Sequence, residues 1–197
     1  MYKKPKTKKG IREKSIILET SIELINSQGY GNTTIKDICS AANITNGNFY
    51  HYFESKSDII LNYVELESED IFNKYKTLTD LTYKEKLLYM LKIQCDYLEF
   101  KGQKFLETYI SLIFTKRKNF DQLLQYSFYK IFEECIQNGI SSNEFKCAES
   151  PEDIIEILNS TFSGLIVRWT TLDDNSSPYE FIYIRLKKLI DLLLVTI

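Results

Sequence analysis

A chain of 197 residues with 44% apolar and 26% charged side chains can bury a substantial core, which excludes a disordered or fibrous polymer. Seven glycines and three prolines leave little for a loop-rich or all-β design, and Leu, Ile, Lys and Glu recur at helical spacing, so an all-α fold of about nine helices is predicted. The net charge of −2 is unevenly spread: residues 1–58 hold 9 Lys and Arg against 6 Asp and Glu, and the remainder hold 16 against 21, giving a basic head on an acidic body.

Residues 1–10 carry most of that basic charge and are expected to be a disordered arm. Beside a DNA-binding element such an arm suits phosphate or minor-groove contact, although basic tails are often simply solvated. It is not expected to be a signal peptide, because Ile16-Ile17-Leu18 runs straight into Glu19. Ile17, Leu18, Ser21, Leu24 and Ile25 form an i, i+3, i+4 stripe, so the first helix is predicted from about Ile11 to Gln28, stopped by Gly29.

Thr34 followed by Asp37 is a capping box that opens a second helix, running to about Ala42. Asn43 tolerates the left-handed conformation a tight turn needs. Ile44 is an apolar plug, and Thr45 is an N-cap for a third helix from Asn46 to about Tyr52. Two short helices joined this way are a helix-turn-helix, whose second member enters a DNA major groove. Phe49 and Phe53 share one face and are expected to pack inward, while Tyr50 and His51 point outward with hydrogen-bonding tips. Asn46, Gly47 and Asn48 occupy the leading turn, where a recognition helix meets base edges. Gly47 costs about 1 kcal/mol relative to Ala in a helix, and close backbone approach to DNA is a reason for it. The expected DNA contacts are Thr34, Thr45, Asn46, Gly47, Asn48, Tyr50, His51 and Lys56.

The order Gln28-Gly29-Tyr30, Thr33-Thr34-Ile35, Asp37-Ile38, Ala42-Asn43-Ile44-Thr45, Gly47, Phe49-Tyr50-His51-Tyr52-Phe53 and Ser55-Lys56 resembles the N-terminal signature of TetR/AcrR-type transcriptional regulators, over roughly residues 11–60. Asn43 stands where Gly is usual in that family, and Asn46 where many members carry Lys. The resemblance implies a three-helix DNA-binding domain at residues 1–56 and a helical effector-binding and dimerisation domain at residues 57–197.

Ser55 with Asp58 caps a fourth helix reaching about Lys76, long enough to link head and body. Thr82 with Glu85 opens another, to about Phe100, broken by Gly102 and continued from Gln103 to about Thr115. Asn119 with Gln122 starts a helix expected to stop at Asn138-Gly139, followed by the polar loop Ser141-Ser142-Asn143. Ser150-Pro151 and Ser177-Pro178 then open two last helices, about Pro151 to Thr171 and Pro178 to Val195. Both carry apolar residues on more than one face, so each needs cover on two sides. A central core helix meets that need, as does self-association. The family resemblance implies a four-helix homodimer interface, which would set two recognition helices against a palindromic operator.

Aromatic side chains are 14% of the chain, and many lie between residues 89 and 132. Core filling explains any one of them. Together they also suit an apolar pocket, and the resemblance implies an effector site, with candidates Tyr89, Tyr97, Phe105, Tyr109, Phe128, Phe132, Phe162 and Trp169. Arg168 is expected in a surface or interface salt bridge rather than on an anionic ligand. The four cysteines lack C-x-x-C spacing, and apolar runs such as Leu189 to Ile197 are too short to span a bilayer, so a reduced, cytoplasmic protein with no membrane partner is expected. His51 is the sole histidine, and no phosphate-binding loop, dinucleotide fingerprint or nucleophile elbow is present; no enzyme, cofactor or metal is expected. The preferred reading is a ligand-responsive, sequence-specific DNA-binding regulator, acting as a repressor released by a hydrophobic small molecule. The alternative is an all-α protein that sequesters a hydrophobic ligand or protein partner without specific DNA recognition.

Overall fold

The computed structural model describes residues 7–115, 126–147, 149–172 and 176–196. The fold is all-α, with eight α-helices among the described residues. The first, α1 (Lys8–Gln28), starts earlier than its apolar stripe requires, because the Thr7 hydroxyl accepts from the Gly10 amide at 3.1 Å and caps it. Residues 8–10, expected in a disordered arm, are therefore helical. Gly29, with φ 85°, ends the helix.

Helices α2 (Ile35–Ala41) and α3 (Asn46–Tyr52) follow, then α4 (Lys56–Lys76). The Thr34–Asp37 capping box is complete, and Thr45 and Ser55 cap the next two helices through their hydroxyls. Between α2 and α3, Asn43 has φ 52° and the Ile44 amide donates to the Cys39 carbonyl at 2.9 Å.

Two apolar clusters result. The head core joins Ile17 and Leu18 of α1, Ile38 and Cys39 of α2, Phe49 and Phe53 of the α3 segment, and Ile59 of α4. The body core takes Ile22 and Ile25 from α1 and Ile60, Val64 and Ile71 from α4. Both long helices thus feed the head with one turn and the body with the next, which ties the two units together.

Helix α5 (Tyr83–Thr115) opens with the expected Thr82–Glu85 box, and Glu144 accepts from the Tyr83 and Lys84 amides at 2.7 and 2.9 Å. It bends at Gly102, whose φ of 73° and ψ of 163° are non-helical. Of the helix expected to begin at Asn119, residues 119–125 lie outside the described residues, and α6 spans Tyr126–Ser141. Gly139 does not stop it. A Cβ at that position would lie 2.2 Å from the buried Phe145 ring, so this glycine makes room for an aromatic side chain, and Asn143 at φ 57° turns the chain instead.

Helix α7 (Pro151–Thr170) is capped by Ser150 and carries Pro at its first position. Pro178 then leads into a π-helical turn, Tyr179–Tyr183, and α8 (Ile184–Leu193). Val195, expected in that last helix, is extended instead. Val195–Thr196 (β2) pairs antiparallel with Phe145–Lys146 (β1), Phe145 opposite Thr196, and Lys84 donates to the Leu194 carbonyl at 3.1 Å. No helix of the described residues is long and apolar enough to cross a membrane.

Candidate nucleic-acid interface

Thr45, Asn46, Gly47 and Asn48 are all exposed, and they form the capped leading turn of α3. The Thr45 hydroxyl accepts from the Asn48 amide at 3.2 Å, so the turn is locked by a side chain lying beside the candidate base-reading residues. Phe49 and Phe53 are 0% exposed, with ring centroids 5.8 Å apart, and they hold the opposite face against α1, α2 and α4. Tyr50, at 57% exposure, stands edge-on to Phe49. His51 is exposed beside Tyr52, whose hydroxyl donates to Glu13 of α1 at 2.8 Å. Burial on one face and hydrogen-bonding groups on the other give a rigid projecting helix of the kind that fits a major groove.

Thr34 and Lys56 play parts that spacing alone does not reveal. Thr34 is exposed, but its hydroxyl is engaged with Asp37 on both sides, accepting from the amide at 3.1 Å and donating to the carboxylate at 2.7 Å. The Asp37 carboxyl is held below its usual range by the hydrogen bonds it accepts from the Thr34 hydroxyl and from the Thr34 amide, the latter at 2.8 Å. The Lys56 ammonium donates to the Tyr30 and Thr33 carbonyls and lies 4.0 Å from the Tyr30 ring centroid. It pins the turn between α1 and α2, so its contribution to a DNA surface passes through that turn. Beneath α3, the buried Lys14 ammonium lies 5.1 Å from the Phe53 centroid; burial brings it down to about 8, with Asp58 and Glu65 opposing the fall.

In the body, a small, partly open cavity of about 20 Å³ is lined by Val64, Glu67, Gln94, Leu98, Lys101 and Tyr109, with Ser68, Leu106, Phe128 and Ile166 completing its wall. Of the eight aromatic candidates, Tyr109 and Phe128 reach it. Phe128, Phe132 and Phe162 form a buried triangle with centroids 4.9, 5.7 and 6.2 Å apart. Phe105 is buried edge-on to Tyr63, and Trp169 is buried with its indole N–H donating to the Ser176 carbonyl at 2.8 Å. Tyr89 is exposed, and the Tyr97 hydroxyl is tied at the surface to Asp70 and Lys74, so these two stand outside the lining. The Arg168 guanidinium lies over the Phe181 ring.

The residues that sequence reasoning passed over are Glu67, Gln94 and Lys101. Lys101 donates to both Glu67 carboxylate oxygens at 2.7 Å, the two side chains being 3% and 4% exposed, and Gln94 donates to Glu67 at 3.3 Å. A signal existed, since Glu67 falls on the Ile60, Val64, Ile71 stripe and Lys101 follows Gln94 and Leu98 at +7 and +3. Lys101 also touches the head: its carbonyl accepts from the Asn26 side chain of α1 at 2.6 Å, and Lys104 donates to the Asn26 carbonyl at 3.1 Å. No group of three or more His, Cys, Asp or Glu side chains able to hold a metal occurs among the described residues.

Residues 17–63 match the family model of the bacterial regulatory proteins, tetR family. The HTH-type transcriptional repressor KstR2 of Rhodococcus jostii is 33% identical over 60 residues, covering 30% of this chain and 29% of that protein. The chain thus aligns with under a third of that relative's length. The fatty acid degradation regulator FadR from Bacillus halodurans shares the fold over 97% of each chain, with a TM-score of 0.73 at 17% identity. The Thermus thermophilus TetR-family repressor FadR, in complex with lauroyl-CoA, shares it over 91% of this chain and 92% of that one, with a TM-score of 0.60 at 16% identity. The helix-turn-helix head belongs to the tetR family of transcriptional regulators.

Proposed function

We propose that this chain is a ligand-responsive transcriptional repressor that binds a palindromic operator as a homodimer and is released by a hydrophobic small molecule. The observation that carries this reading is the α3 surface: an exposed, Thr45-capped Asn-Gly-Asn turn braced from behind by fully buried Phe49 and Phe53. Asn46 and Asn48 read base edges, Gly47 lets the backbone approach, and Thr45, Tyr50 and His51 meet phosphates. Thr34, expected among the contacts, gives its O–H and its amide to Asp37 and so holds the start of α2 instead. Lys56 holds the turn beneath them.

We place the domain boundary at 56/57, where α4 begins. The dimer forms through the outer faces of α7 and α8, where Ile157, Ile184 and Leu192 are exposed and Gly164 has open space before it. The effector site lies among the middle helices around the cavity and the Phe128, Phe132, Phe162 triangle. Lauroyl-CoA, the ligand named for the Thermus thermophilus protein, supports an effector that carries a long apolar chain. Effector binding shifts the equilibrium between head spacings only by its differential affinity for the two states. The protein acts in the cytoplasm, with no catalytic step.

The test is a gel-shift titration with the DNA flanking the chain's own gene, repeated across a salt series. Steeply salt-dependent binding to an inverted repeat, relieved by a hydrophobic compound, is the expected result. Equal affinity for random duplex, or none, would leave a sequestering protein.

A further inference from the structure

The Glu67–Lys101 pair sits where packing alone gives no reason for it. Apolar side chains of similar volume in place of a buried ion pair are often neutral or stabilising, so the pair is weak evidence of a stability role. It lines the small cavity together with Gln94, Ser68 and Tyr109, and the rest of that wall is Val64, Leu98, Leu106, Phe128 and Ile166.

We propose that this cavity is the polar end of the effector site and that it selects a ligand whose buried head is polar and uncharged, such as a hydroxyl, ketone, ester or amide carried on an apolar body. The inference rests on the effector reading above and adds its head-group chemistry.

Charge balance is the first support. Glu67 and Lys101 cancel, and the remaining polar walls are an amide, an aliphatic hydroxyl and a phenol whose ionisation burial opposes. A carboxylate head would leave the site at −1 and an ammonium head at +1, within apolar walls where an uncompensated ion is far costlier than in water. An uncharged head adds hydrogen bonds without changing the sum.

Donor count is the second. An ammonium has three N–H donors and no acceptor, and Glu67 takes two of the three from Lys101. A ligand oxygen placed in the cavity accepts the third without displacing Glu67.

Size is the third. About 20 Å³ seats one heteroatom-sized group, which matches a head and not a whole ligand. The apolar body enters when the Phe128, Phe132, Phe162 triangle parts, so affinity scales with the fraction of molecules in that open form.

The experiment uses the full chain and three probes with one tail, 1-decanol, decanoate and decylammonium, each below its aggregation concentration at pH 7.4, with Kd read by calorimetry. Decanol is expected to bind at least tenfold more tightly than either ion. In E67Q decanoate should gain at least tenfold relative to decanol, and in K101M decylammonium should gain by as much. If the single variants fail to fold, E67K/K101E keeps a neutral pair and should keep the decanol preference. An ion that equals decanol on the wild-type chain overturns the head-group selection, and so does an order of preference that the charge variants leave unchanged. A hydrophobic compound that releases DNA while none of the three probes binds keeps the effector reading and removes this one.

Discussion

Phe49 and Phe53 decide what the residues between them can do. Each is fully buried in a small head core that holds seven buried residues, so truncation leaves a cavity with few neighbours able to fill it. Phe49→Ala or Phe53→Ala is expected to cost about 3–5 kcal/mol, read by chemical denaturation. Tyr50→Ala should stay within about 0.5 kcal/mol of wild type, as an exposed substitution, while weakening binding to every duplex alike. Changes at Asn46 or Asn48, the residues proposed to meet base edges, should instead alter sequence preference. Lys14 adds a pH dependence. Its ammonium loses its proton at about pH 8 in the folded chain against 10.5 for the ordinary group, so the folded state binds fewer protons in between. Wild-type stability therefore rises with pH across that window. The unfolding free energy of wild type minus that of Lys14→Met should increase from pH 7 to pH 10, and a flat difference would show that Lys14 titrates normally.

At the scale of elements, most caps were legible and long-range contacts were not; the Thr7 cap of α1 is the local signal that was passed over. Thr34, Thr45, Ser55, Thr82 and Ser150 announce their helices because a cap is decided within three residues. Gly139 reads as a stop only while Phe145 is ignored, and Val195 reads as helical only while its pairing with Lys146 is unseen. Those outcomes depend on residues 6 and 49 positions away along the chain. The capped leading turn of α3 was legible for the same local reason, whereas the cavity lining mixes α4, α5, α6 and α7 and the aromatic candidates divide between lining, core and surface. The bend at Gly102 was expected from its position; the bond that Asn26 of the head donates to the neighbouring Lys101 carbonyl was not. Lys101 holds Glu67 with its side chain and Asn26 with its carbonyl, so one residue touches both the cavity and the DNA-binding unit. Asn26→Ala is expected to leave effector-free DNA affinity within a few-fold of wild type. It should lower the coupling between effector and DNA by about 0.5–2 kcal/mol, measured as the ratio of DNA affinities with and without effector.

For the whole molecule, α1 and α4 weld a small basic head to a larger acidic body, and each shares its buried face between two cores. A rearrangement in the body that tilts either helix therefore moves the head, which is the physical basis for the proposed ligand response. Recognition of an inverted repeat needs a second copy, and the surface proposed for it holds the exposed Ile157 of α7 and Ile184 and Leu192 of α8. Gly164→Arg places a long cation in the open space before α7 and is expected to yield monomers by analytical ultracentrifugation, with operator affinity falling at least tenfold. The most direct test of the central claim, that the leading turn of α3 reads operator bases in pairs, is selection from a randomised duplex pool with the wild-type chain and with Asn48→Ala. Enrichment of an inverted repeat by the wild type, with degenerate bases at matching positions of both half-sites for the variant, is the result expected. Recovery of no common sequence, or of the same sequence by both proteins, would contradict it.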